Sequence, residues 1–165
     1  MENINNIFTE DIEIASHGKV YLTIENDDGT KAIMAVRNKV VRSGREALAR
    51  SLANQFDGTY SFYAVRVLFG TNGTLGGAPR FVDDTRTGLF GTVALAKPVI
   101  ASIDPDFPTQ VTFTTVVAKT ELVGQTINEM ALEMANGDIF SMTTFGDVTK
   151  NSSMQLTWNW RLTWV

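Results

Sequence analysis

Residues 154–164 read MQLTWNWRLTW and alternate apolar with polar without a break. Met154, Leu156, Trp158, Trp160, Leu162 and Trp164 fall on one side; Gln155, Thr157, Asn159, Arg161 and Thr163 fall on the other. A period of two sends successive side chains to opposite faces of a strand, so the segment reads as a strand with one buried face. Each aromatic side chain on that face buries about 150–250 Å², which demands a deep core. Trp158 and Trp160 are expected in that core. Trp164 is a candidate for contact with another subunit, because aromatic residues are enriched at interface centres.

The same period recurs upstream. In KVYLTIENDDGTKAIMAVRNKVV, Val20, Leu22 and Ile24 alternate with Tyr21, Thr23 and Glu25; residues 26–30 form a turn and a second run follows at Ile33–Val40. That pattern reads as a hairpin. INEMALEMANGDIFSMTTF (127–145) places two alternating runs around Asn136-Gly137, for which a tight primed turn with positive φ angles is expected. TYSFYAVRVLF (59–69) is apolar on both alternating faces. It reads as a central strand, covered by a helix on one side and a second layer on the other. Further strands are expected over Thr92–Ser102, where Pro98 argues for an edge or bulge, and over 109–118, after a rigid DPDFP turn (104–108).

Only one stretch breaks the period. SGREALARSLANQFDG (43–58) sets Leu48, Ala49, Leu52, Ala53 and Phe56 on one helical face. A helix over about residues 44–57 follows, with Ser43 and Glu46 as a capping box and Gly58 as its stop. GTNGTLGGAPRFVDDTRTGLFG (70–91) is a long loop rich in Gly, Thr and Asp, of the kind that is either functional or disordered when free. The expected fold class is mainly β: an antiparallel β-sandwich or jelly-roll-like domain over residues 11–165 with the one helix packed on a sheet, preceded by an arm at residues 1–10.

Composition narrows the function. Charged residues are 19% and the pI is about 4.9, a balance unlike the concentrated basic face of a general nucleic-acid binder. There is no cysteine, which removes disulfides, thiolate catalysis and Cys-based zinc sites. The first residues have no basic and apolar regions of a signal peptide, and no run approaches the ~18 apolar residues of a membrane span. A soluble chain with no membrane partner is expected.

Candidate chemistry is thin. His17 is the single histidine, beside Ser16, Gly18 and Lys19, and reads as a surface residue. No serine sits in a G-x-S-x-G context. Asp27-Asp28, Asp83-Asp84 and Asp104/Asp106 lack an EF-hand spacing and read as turn caps. GTNGTLGG lacks the G-K-[ST] ending of a phosphate loop. Glu129 and Glu133 share one side of a strand; a glycosidase pair is conceivable, but the ordinary reading is the polar face of an exposed strand. No catalytic residue, metal or cofactor is expected.

Three segments, VRSGREALARSL (41–52), VLFGTNGT (67–74) and the block 127–164, together resemble small β-rich virion proteins of tailed bacteriophages. The closing block resembles tail-collar and tail-fibre-type modules: an E-x-x-L strand, an Asn/Asp-Gly turn, an apolar strand, and a lysine leading into a final Trp-bearing strand. Glu129, Leu132, Asn136-Gly137, Phe140, Phe145, Lys150 and Trp158 occupy those places, while Gly146-Asp147 stands where that pattern has a proline. The resemblance implies a structural virion component made in the host cytoplasm. Such a component joins subunits in tail, collar, fibre attachment or capsid decoration, as a trimer or ring with other virion proteins as partners. Candidate interface residues are Ile4, Ile7, Phe8, Leu75, Phe81, Leu89, Phe90 and Trp164. A host-surface, carbohydrate-binding module is the alternative.

Overall fold

The computed structural model describes residues 16–55 and 62–164. Its elements run β1 (Ser16–Asn26), β2 (Lys31–Val40), α1 (Arg42–Leu52), β3 (Ala64–Gly70), β4 (Thr74–Leu75), β5 (Ala78–Pro79), β6 (Leu95–Pro98), β7 (Ile100–Ile103), β8 (Gln110–Val117), β9 (Thr126–Met134), β10 (Ile139–Thr149) and β11 (Met154–Trp164). Nine strands make one antiparallel sheet in the order β6-β3-β9-β10-β2-β1-β11-β8-β7, which curls until it is nearly a closed barrel. The fold is therefore mainly β, with a single helix among the described residues. The alternating segment is β11, and it pairs along its whole length with β1, from Ser16↔Trp164 to Asn26↔Met154.

Leu156, Trp158, Trp160 and Leu162 point into the barrel and are buried. Trp158 lies between Phe69 and Phe145, with ring centroids 5.7 and 5.2 Å away. Val20 and Leu22 from β1 and Met130 and Leu132 from β9 pack into the same core. A smaller cluster lies on the outside of β3, β9 and β10: Val41, Leu68, Val82, Ala131, Ile139 and Met142, closed over by Leu89 and Phe90.

The barrel's seam is joined by side chains. Thr115 on β8 donates its hydroxyl to the Pro98 carbonyl on β6 at 2.9 Å. Lys97 on β6 donates to both Glu121 oxygens at 2.8 and 3.0 Å, and Glu121 also accepts the Ala118 N–H at 2.8 Å. The Lys97 ammonium first, and the Ala118 amide second, hold the Glu121 carboxyl below its ordinary value of 4.5. A carboxyl whose folded pKa is depressed contributes stability above its unfolded pKa, and that contribution is lost as pH falls through the folded value. Stability is thus expected to fall more steeply below about pH 4.5 in the native chain than in Glu121→Gln. Parallel urea titrations between about pH 6 and about pH 3 check this, and identical slopes would rule out a seam contribution.

Several local expectations need correcting. The helix starts at Arg42 and ends at Leu52 rather than spanning 44–57, and Ser43 is not its cap. Val41 holds the cap position because β2 runs straight into α1. Tertiary contacts satisfy the first amides: Val41 N donates to Phe140 O and Arg42 N to Asp84 O. Ser43 is freed to donate its hydroxyl to Ile139 O at 2.6 Å. The stop is Asn54, at φ 52, with Asn54 N bonded to Ser51 O and Gln55 N to Arg50 O. This is the two-bond left-handed ending usually built on glycine, and it closes the helix before Gly58. Gly44 lets the helix touch β10, since a Cβ there would lie 2.1 Å from Phe140 O.

The Asn136-Gly137 turn is not a two-residue primed turn. Gly137 N bonds to Met134 O, Met134 N bonds to Asp138 O, and only Gly137 is left-handed, at φ 91. This is a three-residue loop, a type I turn followed by a glycine bulge. The β1–β2 turn repeats it with Gly29 at φ 81. β3 lies second from the sheet's edge, beside β6, and its outer face is covered by the 70–91 segment. The helix packs on β10 instead. Pro98 does sit on the edge strand β6.

Candidate functional site

β9 is buried on both faces over Ile127–Met134. Met130, Leu132 and Met134 face the barrel core, and Ala131 faces the outer cluster. Glu129 is therefore not on an exposed polar face as expected: it is 0% exposed. The reason is what covers it. Its Oε1 accepts Asn72 N and Gly91 N, each at 3.1 Å, and its Oε2 accepts Phe90 N at 2.6 Å. One carboxylate thus gathers amides from both ends of the long loop. Bonds from amides to a charged acceptor are stronger than neutral ones.

A bulge builds the rest of this hub. Thr144 pairs with Glu129 and Val148 with Ile127, so Phe145–Asp147 bulge opposite Asn128. Phe145 drops into the core. Asn128 accepts Gly73 N at 2.6 Å and donates to Thr74 Oγ1 at 3.0 Å and Asp147 Oδ1 at 2.9 Å. Gly146-Asp147 forms the rest of this bulge beside Phe145.

The rest of the long loop is fastened too, so it is a second layer on the sheet and not an open loop. Thr144 donates to Arg80 O at 2.6 Å. Asp84 accepts Arg42 N and pairs with Arg45 Nη2 at 2.8 Å, beside the start of α1. The Arg86 guanidinium bonds to Gly88 O and Leu89 O and lies 4.0 Å from the Phe90 ring centroid.

The remaining candidates are dispersed. Glu133 is buried and paired with Arg66 of β3, again not on an exposed face. His17 holds the register position opposite Thr163. Asp28, Asp83 and Asp104 accept bonds from residues two positions on, as turn caps do. The Thr85 hydroxyl, then its amide, hold Asp83 below the ordinary carboxylate value, and Thr30 does the same for Asp28. Among the described residues no group of three or more His, Asp or Glu forms a metal-holding cluster. Sequence reasoning also missed Lys150 as a buried group. Its ammonium donates to Lys119 O at 2.9 Å and Asn151 O at 2.7 Å, and burial pushes it below its ordinary value against the pull of Glu121. A lone lysine just before a strand carries no signal of burial; only its place in the resemblance pattern singled it out.

Of the interface candidates, Leu75 and Phe81 stand in solvent, at 71% and 84% exposure. Leu89 and Phe90 are half-buried on the outer cluster. Trp164 is half-buried at the barrel mouth, where Leu48, Phe62, Ala101, Phe113 and Leu162 join it around an apolar cavity of about 280 Å³. Ile4, Ile7 and Phe8 lie outside the described residues. Compared with protein-family models, curated proteins and solved structures, the chain matches none.

Proposed function

We propose that the chain is a structural component of a tailed-bacteriophage virion that joins subunits, in tail, collar, fibre attachment or capsid decoration. The observation that carries the subunit-joining part is β7. Every residue of this edge strand is exposed, and Ile100 and Ile103 are 76% and 64% exposed, with Phe107 at 61% just beyond. An unshielded edge bearing apolar side chains is a template for another chain. The virion assignment is supported by the resemblance of residues 41–52, 67–74 and 127–164. Six residues of that pattern, Glu129, Leu132, Phe140, Phe145, Lys150 and Trp158, are buried.

The test is assembly. Sedimentation velocity of the intact chain is expected to show self-association that Ile100→Lys/Ile103→Lys weakens; a monomer at every concentration would remove the subunit-joining reading. Deleting residues 1–10 is expected to weaken assembly more than fold stability, read by sedimentation and urea unfolding of one preparation. Equal losses in both would argue against an assembly arm. Antibody labelling of intact particles tests the virion assignment.

A further inference from the structure

We propose that the outer face of β2, β1 and β11 receives the acidic amino-terminal segment of a second copy of this chain. The inference rests on the subunit-joining reading above and names one contact within it. Its starting point is an imbalance in cross-strand pairing. Lys19 pairs directly with Arg37 on β2 and with Arg161 on β11. Three cations therefore stand side by side across three strands. Directly opposed residues lie about 4.5–5.5 Å apart, and like charges at that spacing repel. Among the described residues the ion pairs are Lys31–Glu25, Arg45–Asp84, Arg66–Glu133, Lys97–Glu121 and Lys119–Asp27, and none relieves this row. Arg161 lies over the Tyr21 ring at 5.1 Å, and its Nε has no hydrogen-bond partner among the described residues.

The row borders grooves on both sides. Lys19, Tyr21, Gln110, Arg161 and Thr163 line one of about 250 Å³. Lys19, Tyr21, Ala35 and Arg37 line another of about 230 Å³. Beyond Arg37 the basic character continues through Lys39 and Arg80, around the exposed ring of Phe81.

The complementary charge is in the chain itself. Residues 1–15 contain Glu2, Glu10, Asp11 and Glu13 and no Lys or Arg. The whole chain has 14 basic and 18 acidic residues, so removing those four acids leaves 14 against 14, and the entire net charge of −4 belongs to this segment. The segment also carries Ile4, Ile7 and Phe8, apolar partners for Phe81 and Tyr21. A body without net charge and with one cationic row uncompensated among the described residues matches an acidic, partly apolar peptide better than a polyanion such as nucleic acid, which needs a field extended over many phosphates.

Two charge reversals in the full chain test this, Lys19→Glu/Arg37→Glu on the face and Glu10→Lys/Asp11→Lys/Glu13→Lys on the segment. Each alone is expected to weaken self-association by about tenfold or more, and the two mixed together are expected to associate with each other. Raising salt from about 50 to about 500 mM should weaken the native association as well. A synthetic peptide of residues 1–15 added to the intact chain is expected to dissociate the oligomer, a readout that needs no variant to fold. If the intact chain associates but the reversals, salt and peptide leave it unchanged, this contact is wrong while the subunit-joining reading stands. If the intact chain never associates, both fall. If a single-stranded oligonucleotide binds the face and the peptide does not, the partner is a polyanion and the proposal is overturned.

Discussion

Glu129→Ala is expected to destabilise the protein by about 3 kcal/mol and to strip the long loop from the sheet. The carboxylate accepts Asn72, Phe90 and Gly91 amides, and each amide bond to a charged acceptor contributes about 1.5–3 kcal/mol. Alanine leaves those donors facing a void; part of the loss is recovered because Asn72 is exposed and can turn to water. Glu129→Gln should recover little, because its amide nitrogen would meet an amide donor on one side. Urea unfolding gives the energy, and trypsin cleavage at Arg80 and Arg86 reports the loop. Unchanged proteolysis in Glu129→Ala would mean that Asp84, Thr144 and the Phe90 packing hold the segment alone.

Trp158→Ala is expected to cost about 3–5 kcal/mol, the usual range for removing a large core aromatic side chain. Domains are stable by only about 5–15 kcal/mol, so this variant should be unfolded or close to it at physiological temperature. Trp158 fills the space between Phe69 and Phe145 from β11, which pairs with β1 on one side and β8 on the other. Trp158→Phe retains the ring contacts in part and should lose much less. Near-ultraviolet circular dichroism and the urea midpoint check the pair. Equal midpoints for the two variants would show that the barrel collapses around the gap.

The uneven legibility of this fold has a physical cause. Alternation is a local property, so β11, the β1–β2 hairpin and the buried Trp158 and Trp160 could be read directly. The 3.6-residue period marked α1 as well, but its ends could not be read. Arg42 N finds Asp84 O, and the helix closes on Asn54 at φ 52 before the glycine expected to stop it. Glu129 was misread for a related reason. Period two assigns a residue to a face but does not say what covers that face. The cover here is Asn72, Phe90 and Gly91, 38 to 57 positions away. Glycine-rich composition marked residues 70–91 as irregular without revealing that they lie flat on β3, β9 and β10. The row Arg37–Lys19–Arg161 was hidden in part: Lys19 and Arg37 face each other within the β1–β2 hairpin, but Arg161 joins them only through the register of β1 with the distant β11.

That register also governs when the molecule can form. The longest strand pairing joins residues 16–26 to residues 154–164, so the middle of the wall waits for its two most distant segments to find each other. Chains dominated by such long-range pairs fold slowly, because the intervening loop must be closed before any contact rewards it. On the ribosome, β1 emerges early and stays without its β11 partner until Trp164 has cleared the exit tunnel. During that interval Val20 and Leu22 lack Trp160 and Trp158 beside them, and incompletely packed apolar surface of this kind is what makes partly folded chains prone to aggregate.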